Sequence, residues 1–355
     1  CNFGPAFVAA AATLTLESLT DLFYLMMPLS DLFHLAQNAD TPEVEECLLS
    51  AFALLARNSD LHPVLVENGL LPILVKALGN SSSPEGLILA AVEALNLITG
   101  NPAFTEVAAD AECLPPLIVI ACSRVGTVQV ASVEALSHLA LLEKTHAEFV
   151  SQGAIPLLVA LTAFDVTTMA AAACECLAHL APDEKLAARL VQAGAVASLL
   201  ELLPSNEVTI RLPASSALAS ICAADGGRAA VEKEQGLTRV LMLLSDDNDE
   251  VCTEGVRCTA NLSLRPYFQA EIVQVGGLDR LLELSRSSSS AQVQLEATRA
   301  VACVAETGSN QSSIVEQAGL SVIMQLALKK QDATIKADEL EGAESELSFR
   351  SEELA

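Results

Sequence analysis

Acidic and imidazole side chains recur at one fixed spacing in the first half of the chain. Glu93, Glu134 and Glu175 are 41 residues apart, and His138 and His179 each follow a glutamate by four residues. Residues four apart share one face of a helix, so the pattern predicts one continuous row of side chains. Carboxylates and imidazoles in a row could ligate a metal ion or attract a basic partner.

Guanidinium side chains continue this row with the opposite sign. Arg257 and Arg299 occupy the later positions, and a glutamate precedes each by three residues, Glu254 and Glu296. Two interpretations stay open. The charges form a binding surface of two signs, or they are a solvated face with internal Glu–Arg pairs worth only about 0.3–0.5 kcal/mol each.

A repeated phrase sets the elements that must position this row. Seven glycine-and-hydrophobic segments, such as GAIPLLVAL from Gly153, follow one another about 42 residues apart. We take the following residues as one slot of the repeat: Gly69, Glu112, Gly153, Gly194, Gly236, Gly277 and Gly319. A regular period of this length predicts a solenoid, in which each unit buries its apolar face by stacking on its neighbours.

One repeat, residues 145–183, shows the expected helices. A short amphipathic helix ends at Gly153, which suits a left-handed C-cap. A second helix carries Pro156 in its first turn, where proline is tolerated. A long third helix follows, and its alanines allow close packing. We therefore predict an all-α fold with three helices per repeat.

The composition agrees with packed helices. The chain has 355 residues, 52% of them hydrophobic, with 3% aromatic residues and no Trp. Its formal net charge of −26 argues against nucleic-acid partners, because phosphates require a basic surface. No apolar run reaches the ~18–20 residues of a membrane span, so we expect no direct membrane insertion.

No catalytic or cofactor motif is present. The ten cysteines include no C-x-x-C pair, and we interpret them as reduced core residues of a cytosolic or nuclear protein, of which we expect the cytoplasmic location. The sequence lacks a P-loop and a G-x-S-x-G elbow. Stacked helices at about 8–10 Å would separate His138 and His179 too far for one metal ion. We therefore expect no enzyme activity, no metal, no cofactor and no small-molecule substrate.

The order of a short helix, a G-x-I-P-x-L-V helix and a long helix ending A-L-x-x-L-A resembles the armadillo repeat. The resemblance implies a right-handed α-solenoid over residues 41–330, with about six full repeats plus partial flanking ones. Residues 1–40 are expected to form an N-terminal helical cap, and 331–355 an acidic capping helix or tail. The two-helix HEAT repeat is the structural rival, and the extra short helix disfavours it.

In armadillo proteins the third helices line a groove that holds an extended segment or helix of a partner protein. By this resemblance the groove positions are Glu93, Glu134, His138, Glu175, His179, Ser216, Ser220, Arg257, Asn261 and Arg299. Only Asn261 keeps the family's asparagine, and the tryptophan slots hold charges or serine. A nuclear-import type of groove is therefore not expected.

These features predict a non-enzymatic protein-binding scaffold or adaptor. The resemblance suggests a structural subunit of a larger assembly, such as a cytoskeletal or axonemal one in the cytoplasm. The alternatives are an organelle-membrane adaptor anchored through a missing N-terminus and the substrate-binding arm of a ubiquitin ligase.

Overall fold

The computed structural model describes residues 29–38, 41–80, 83–123, 126–164 and 166–316. Within these ranges the chain forms α-helices and two 3-10 turns, Ser59–Leu61 and Leu243–Ser245, and contains no strand. The all-α fold predicted from the sequence is confirmed. Contacts divide the chain into two compact units, one ending at Leu199 and one beginning at Leu200.

The first unit contains three complete triplets of helices. It begins with α1 (Leu29–Gln37) and α2 (Pro42–Ala56). The triplets are α3 (His62–Glu67), α4 (Leu70–Leu78) and α5 (Glu85–Thr99); α6 (Pro102–Asp110), α7 (Leu114–Ser123) and α8 (Thr127–Ala140); and α9 (Glu143–Ser151), α10 (Ala154–Thr162) and α11 (Thr167–Leu180). Then come α12 (Glu184–Gln192) and α13 (Ala195–Leu202), and the division between the units falls inside α13.

The second unit continues the same pattern. After α14 (Val208–Ile221) come α15 (Asp225–Lys233), α16 (Leu237–Met242) and α17 (Asp249–Leu262), and then α18 (Pro266–Gln274), α19 (Gly277–Ser287) and α20 (Ala291–Ala305). The last described helix is α21 (Gly308–Glu316). We call α2, α5, α8, α11, α14, α17 and α20 the third helices.

The turn between the first and second helix of a triplet uses a left-handed residue. Gly153, at φ 71°, confirms the left-handed conformation predicted for it. Glycine adopts this conformation without a Cβ clash, which lets the chain reverse within two residues. The same conformation is found at Gly69, Glu112 and Gly194.

Two members of the predicted slot differ from this pattern. The left-handed residues are Gln235, at φ 51°, and Gly276, at φ 79°, each one position before the predicted Gly236 and Gly277. Gly236 instead lies close to another helix, because a Cβ there would lie 2.5 Å from a methyl carbon of Leu200 and that side chain would have to shift. The repeated phrase therefore does not distinguish a glycine that turns the chain from one that lets helices approach.

The third helices pack side by side within each unit. In the first unit α2 contacts α5, α5 contacts α8, and α8 contacts α11, while in the second α14 contacts α17 and α17 contacts α20. These helices carry small, fully buried side chains, including Ala94, Ala135 and Ala260, which allow close packing. Equivalent positions of successive third helices are thereby brought side by side.

The first helix of a triplet holds the end of the preceding third helix. Thr105 Oγ1 donates to the Thr99 carbonyl at 2.8 Å, and Thr145 Oγ1 donates to the Leu139 carbonyl at 2.8 Å. Each donor follows its acceptor by six residues, and these bonds satisfy carbonyls that the helix end leaves unpaired.

No single described helix is long and apolar enough to cross a membrane. One pair, Ser59–Glu67 with Leu70–Leu78, meets the length and composition criteria only when both parts are taken together, and it is bent by 83°. The predicted tail, 331–355, lies outside the described residues, and so does most of the predicted cap, of which 29–38 are described.

Candidate functional site

The predicted charged row lies on the third helices, in two parts that belong to the two units. We call Glu93, Glu134, His138, Glu175 and His179 the first third-helix face, on α5, α8 and α11. We call Ser216, Ser220, Arg257, Asn261 and Arg299 the second third-helix face, on α14, α17 and α20. Each face is described by itself.

The glutamates of the first third-helix face form no ion pair with any described residue. Glu93 and Glu134 are half-buried, and Glu175 is exposed. Glu134 Oε2 accepts a hydrogen bond from Asn96 Nδ2 at 2.7 Å, across the α5–α8 contact. This face therefore presents three carboxylates to a partner.

The histidines of this face bond to the preceding third helix. His179 Nδ1 lies 2.9 Å from the Ser137 carbonyl oxygen, which can only accept, so His179 carries its proton on Nδ1. His138 Nδ1 lies 3.1 Å from Thr99 Oγ1. These imidazoles therefore hold α5, α8 and α11 together.

Burial sets the protonation of one histidine. Burial lowers the pKa of His138 below its ordinary value of 6.5, Glu175 opposes that shift, and His179 adds to it. His138 is therefore neutral at neutral pH. Within the described residues, no three His, Cys, Asp or Glu side chains converge in a way that could hold a metal ion.

The first arginine of the second third-helix face is fully engaged. Arg257 forms an ion pair with Glu254 on its own helix, and its Nη2 donates to the Ser216 carbonyl at 3.1 Å. Its Nη1 and Nη2 also reach Ser220 Oγ at 3.3 and 3.2 Å. The side chain links α17 to α14, and its charge is neutralised by its own helix.

The second arginine is engaged in a similar way. Arg299 Nη2 lies 2.8 Å from Glu296 Oε2 and donates to Asn261 Oδ1 at 2.8 Å. Asn261 is 6% exposed, and its Nδ2 donates to the Ala219 carbonyl at 2.8 Å. The asparagine that the resemblance assigned to partner binding therefore donates a hydrogen bond to the preceding third helix, α14.

The first unit also contains a cleft that the sequence did not indicate. It has a volume of 480 Å³ and crosses from the end of α2 over α5 and α8 to the start of α11. Its wall includes Glu93 and Glu134, together with Asn96, Gln129 and Phe164. The last three were missed because only contacts between helices bring them together; Asn96 lies one residue before the slot occupied by Leu97.

Comparison with known proteins gives structural neighbours only, since no family model and no curated protein matches the sequence. An engineered protein solved by the Northeast Structural Genomics Consortium is 26% identical, with a TM-score of 0.74 over 84% of this chain and 72% of its own. A designed armadillo repeat protein is 23% identical, with a TM-score of 0.61 over 66% of this chain and 99% of its own. Another, solved in complex with the peptide (KR)4, is 24% identical, with a TM-score of 0.59 over 66% of this chain and 99% of its own. These structures confirm the repeat fold predicted from the sequence.

Proposed function

We propose that this chain, which has an armadillo-like repeat fold, is a non-enzymatic scaffold that binds a basic segment of a partner protein on its first third-helix face. The observation that carries the proposal is the set of three glutamates without a cationic partner among the described residues. In the second unit the arginines at the equivalent positions are already paired.

Unpaired carboxylates on packed helices favour a cationic partner for a physical reason. Their mutual repulsion is relieved when lysine or arginine side chains bind between them, and the field of the whole chain, at net charge −26, steers such partners toward it. The neighbour solved with (KR)4 shares only the fold with this chain, but its peptide is a suitable probe.

The test measures binding of fluorescein-labelled (KR)4 to the full chain by anisotropy. The variant Glu93→Gln/Glu134→Gln/Glu175→Gln should weaken binding about tenfold or more at low salt, because three charge-assisted contacts are lost. A control with the same change in net charge replaces three exposed glutamates of other helices and turns in the first unit: Glu112→Gln/Glu143→Gln/Glu184→Gln.

The control should change the affinity only about twofold, through the weaker long-range field. Equal losses in the two triple variants would mean that the peptide responds to net charge alone. That result would contradict a binding site on the first third-helix face.

The biological setting is a further part of the proposal. We favour a structural subunit of a larger cytoplasmic assembly, such as a cytoskeletal or axonemal one, over an organelle-membrane adaptor or the arm of a ubiquitin ligase. Cross-linking mass spectrometry on the protein isolated from its source tests this. Stoichiometric links to one partner through Lys144 or Lys185 support a subunit, and purely intramolecular links contradict it.

A further inference from the structure

The cleft of the first unit has a wall that is rich in hydrogen-bond acceptors. Gln129 on α8 is 5% exposed, and its Nε2 donates to the Ala121 carbonyl at 2.7 Å. A carbonyl can only accept, so the amide nitrogen must face Ala121. Gln129 lines the cleft, and its amide oxygen, Oε1, is buried and has no donor from any described residue.

Asn96 on α5 repeats this arrangement. Its Nδ2 donates to Glu134 Oε2 at 2.7 Å, and a carboxylate also only accepts, so the orientation of the amide is fixed. Its Oδ1 is buried and has no donor among the described residues. A buried acceptor without a donor is unfavourable, and two residues that line the same cleft each have one.

Charge and apolar surface complete the cleft. Among the described residues its lining includes two carboxylates, Glu93 and Glu134, and one cation, the exposed Arg57 at the α2 end, which gives these residues a net formal charge of −1. Phe164 and Val166, at the α11 end, are 46% and 50% exposed. An aromatic ring at a charged cleft can stack on a flat cation.

A ligand that matches this lining carries hydrogen-bond donors only, a positive charge and an apolar stem. A guanidinium group has five N–H donors on a planar frame, whereas an ammonium group is a compact point charge with three donors. The cleft offers four acceptor side chains on two neighbouring helices and the Phe164 ring. This lining matches a guanidinium group better than an ammonium group.

We propose that this cleft binds a guanidinium group on an apolar stem, as an arginine side chain of the bound partner segment presents it. The inference rests on the proposed function and assigns the anchor residue of the partner. In this arrangement the carboxylates neutralise the cation, the amides of Asn96 and Gln129 turn so that their oxygens accept from its edge, and Phe164 packs against its face or stem.

The test uses the full chain with ¹³C-labelled methionine methyl groups. Met169 lines the cleft and is 2% exposed, and Met242, in the second unit, is an exposed internal control. The probes are N-acetyl-arginine N-methylamide and its lysine and citrulline counterparts. The arginine probe should shift the Met169 signal saturably and leave Met242 unchanged. It should bind about threefold or more tightly than the lysine probe, and the citrulline probe should bind about tenfold or more weakly.

Two variants test the assigned contacts, and one controls for charge. Glu134→Gln should weaken the arginine probe about tenfold, because a charge-assisted contact is lost. Gln129→Met, which keeps the side chain's length, should reduce the preference for arginine over lysine. The control Glu143→Gln, on the exposed side of α9, should leave both properties unchanged.

Several results would overturn the inference. Equal affinity for the arginine and lysine probes would remove the guanidinium preference, and tighter binding of free spermidine would indicate a polyamine site. If (KR)4 binding depends on the glutamates while the Met169 signal stays fixed, the proposed function stands and the cleft is not its anchor. If (KR)4 binding is insensitive to the glutamates, the proposed function itself fails.

Discussion

The glutamates of the first third-helix face form no ion pair with any described residue, whereas each arginine of the second face pairs with a glutamate three residues before it on the same helix. Arg257 and Arg299 also donate to the neighbouring third helix. In the first unit imidazoles link neighbouring third helices, as the His179 ring does by its bond to the Ser137 carbonyl. The charges of the first face are therefore available to a partner, while those of the second stabilise the repeats.

This difference shows what a recurring charge can and cannot indicate. Spacing places equivalent side chains on neighbouring helices, but it does not say whether a charge is already paired. Pairing depends on the neighbours of each residue, and here a glutamate three residues earlier decides it. Among the described residues, the unpaired charges of the row are therefore the carboxylates of the first unit.

The largest expected effect is the loss of an arginine from the second face. Arg257→Met should lower the free energy of unfolding by about 2 kcal/mol, because Glu254 and the Ser216 carbonyl lose their donor in a half-buried site. Arg239→Met, at an exposed position without an ion pair to any described residue, should cost less than about 0.5 kcal/mol. Urea unfolding of both variants measures the difference, and similar losses would mean that Arg257 does not link α17 to α14.

A smaller effect tests whether equivalent hydrogen bonds between third helices stabilise each unit. His179 donates to the Ser137 carbonyl in the first unit, as Asn261 donates to the Ala219 carbonyl in the second. His179→Leu should therefore cost about 1 kcal/mol of unfolding free energy, and His179→Asn only a few tenths, since an amide can make the same bond. Equal costs for the two substitutions would show that packing, rather than the hydrogen bond, is what matters there.

Removing an acid from the first face should hardly change stability. Glu175 is exposed and has no hydrogen bond or ion pair with any described residue, so Glu175→Gln should change the unfolding free energy by less than about 0.5 kcal/mol. The direction should be stabilising, because the chain carries an excess of negative charge. A destabilisation comparable to that of Arg257→Met would contradict the contrast between the faces.

The pH dependence should also separate the units, because all five histidines precede Leu200. Burial lowers the pKa of His138 in the folded chain below 6.5, so the unfolded chain binds more protons as the pH falls through that value. This contribution to stability is present above pH 6.5 and is lost below it. Unfolding measured at about pH 7.5 and 5.5 should show a smaller loss for His138→Gln than for the parent chain, and identical losses would exclude His138 as a contributor.

Much of the fold could be predicted from the sequence, and less of the site. The 42-residue period predicted the repeats, and the helix-ending glycines predicted where helices end, since both can be read from the order of residue types along the chain. The predicted slot residues Gly236 and Gly277 each lie one position after the left-handed residue of the turn, because glycine serves both turning and close packing. The acceptors of the cleft, Asn96 and Gln129, could not be predicted, because their bonding is decided by contacts such as Asn96–Glu134 that join separate helices.

Photo-crosslinking with a (KR)4 peptide that carries a benzophenone at its centre tests the central claim most directly. We expect adducts on α5, α8 and α11. These adducts should decrease strongly in the Glu93→Gln/Glu134→Gln/Glu175→Gln variant and persist in the matched control. Adducts on α17 or α20, or an unchanged pattern in the triple variant, would contradict the claim that the unpaired glutamates of the first third-helix face bind the partner.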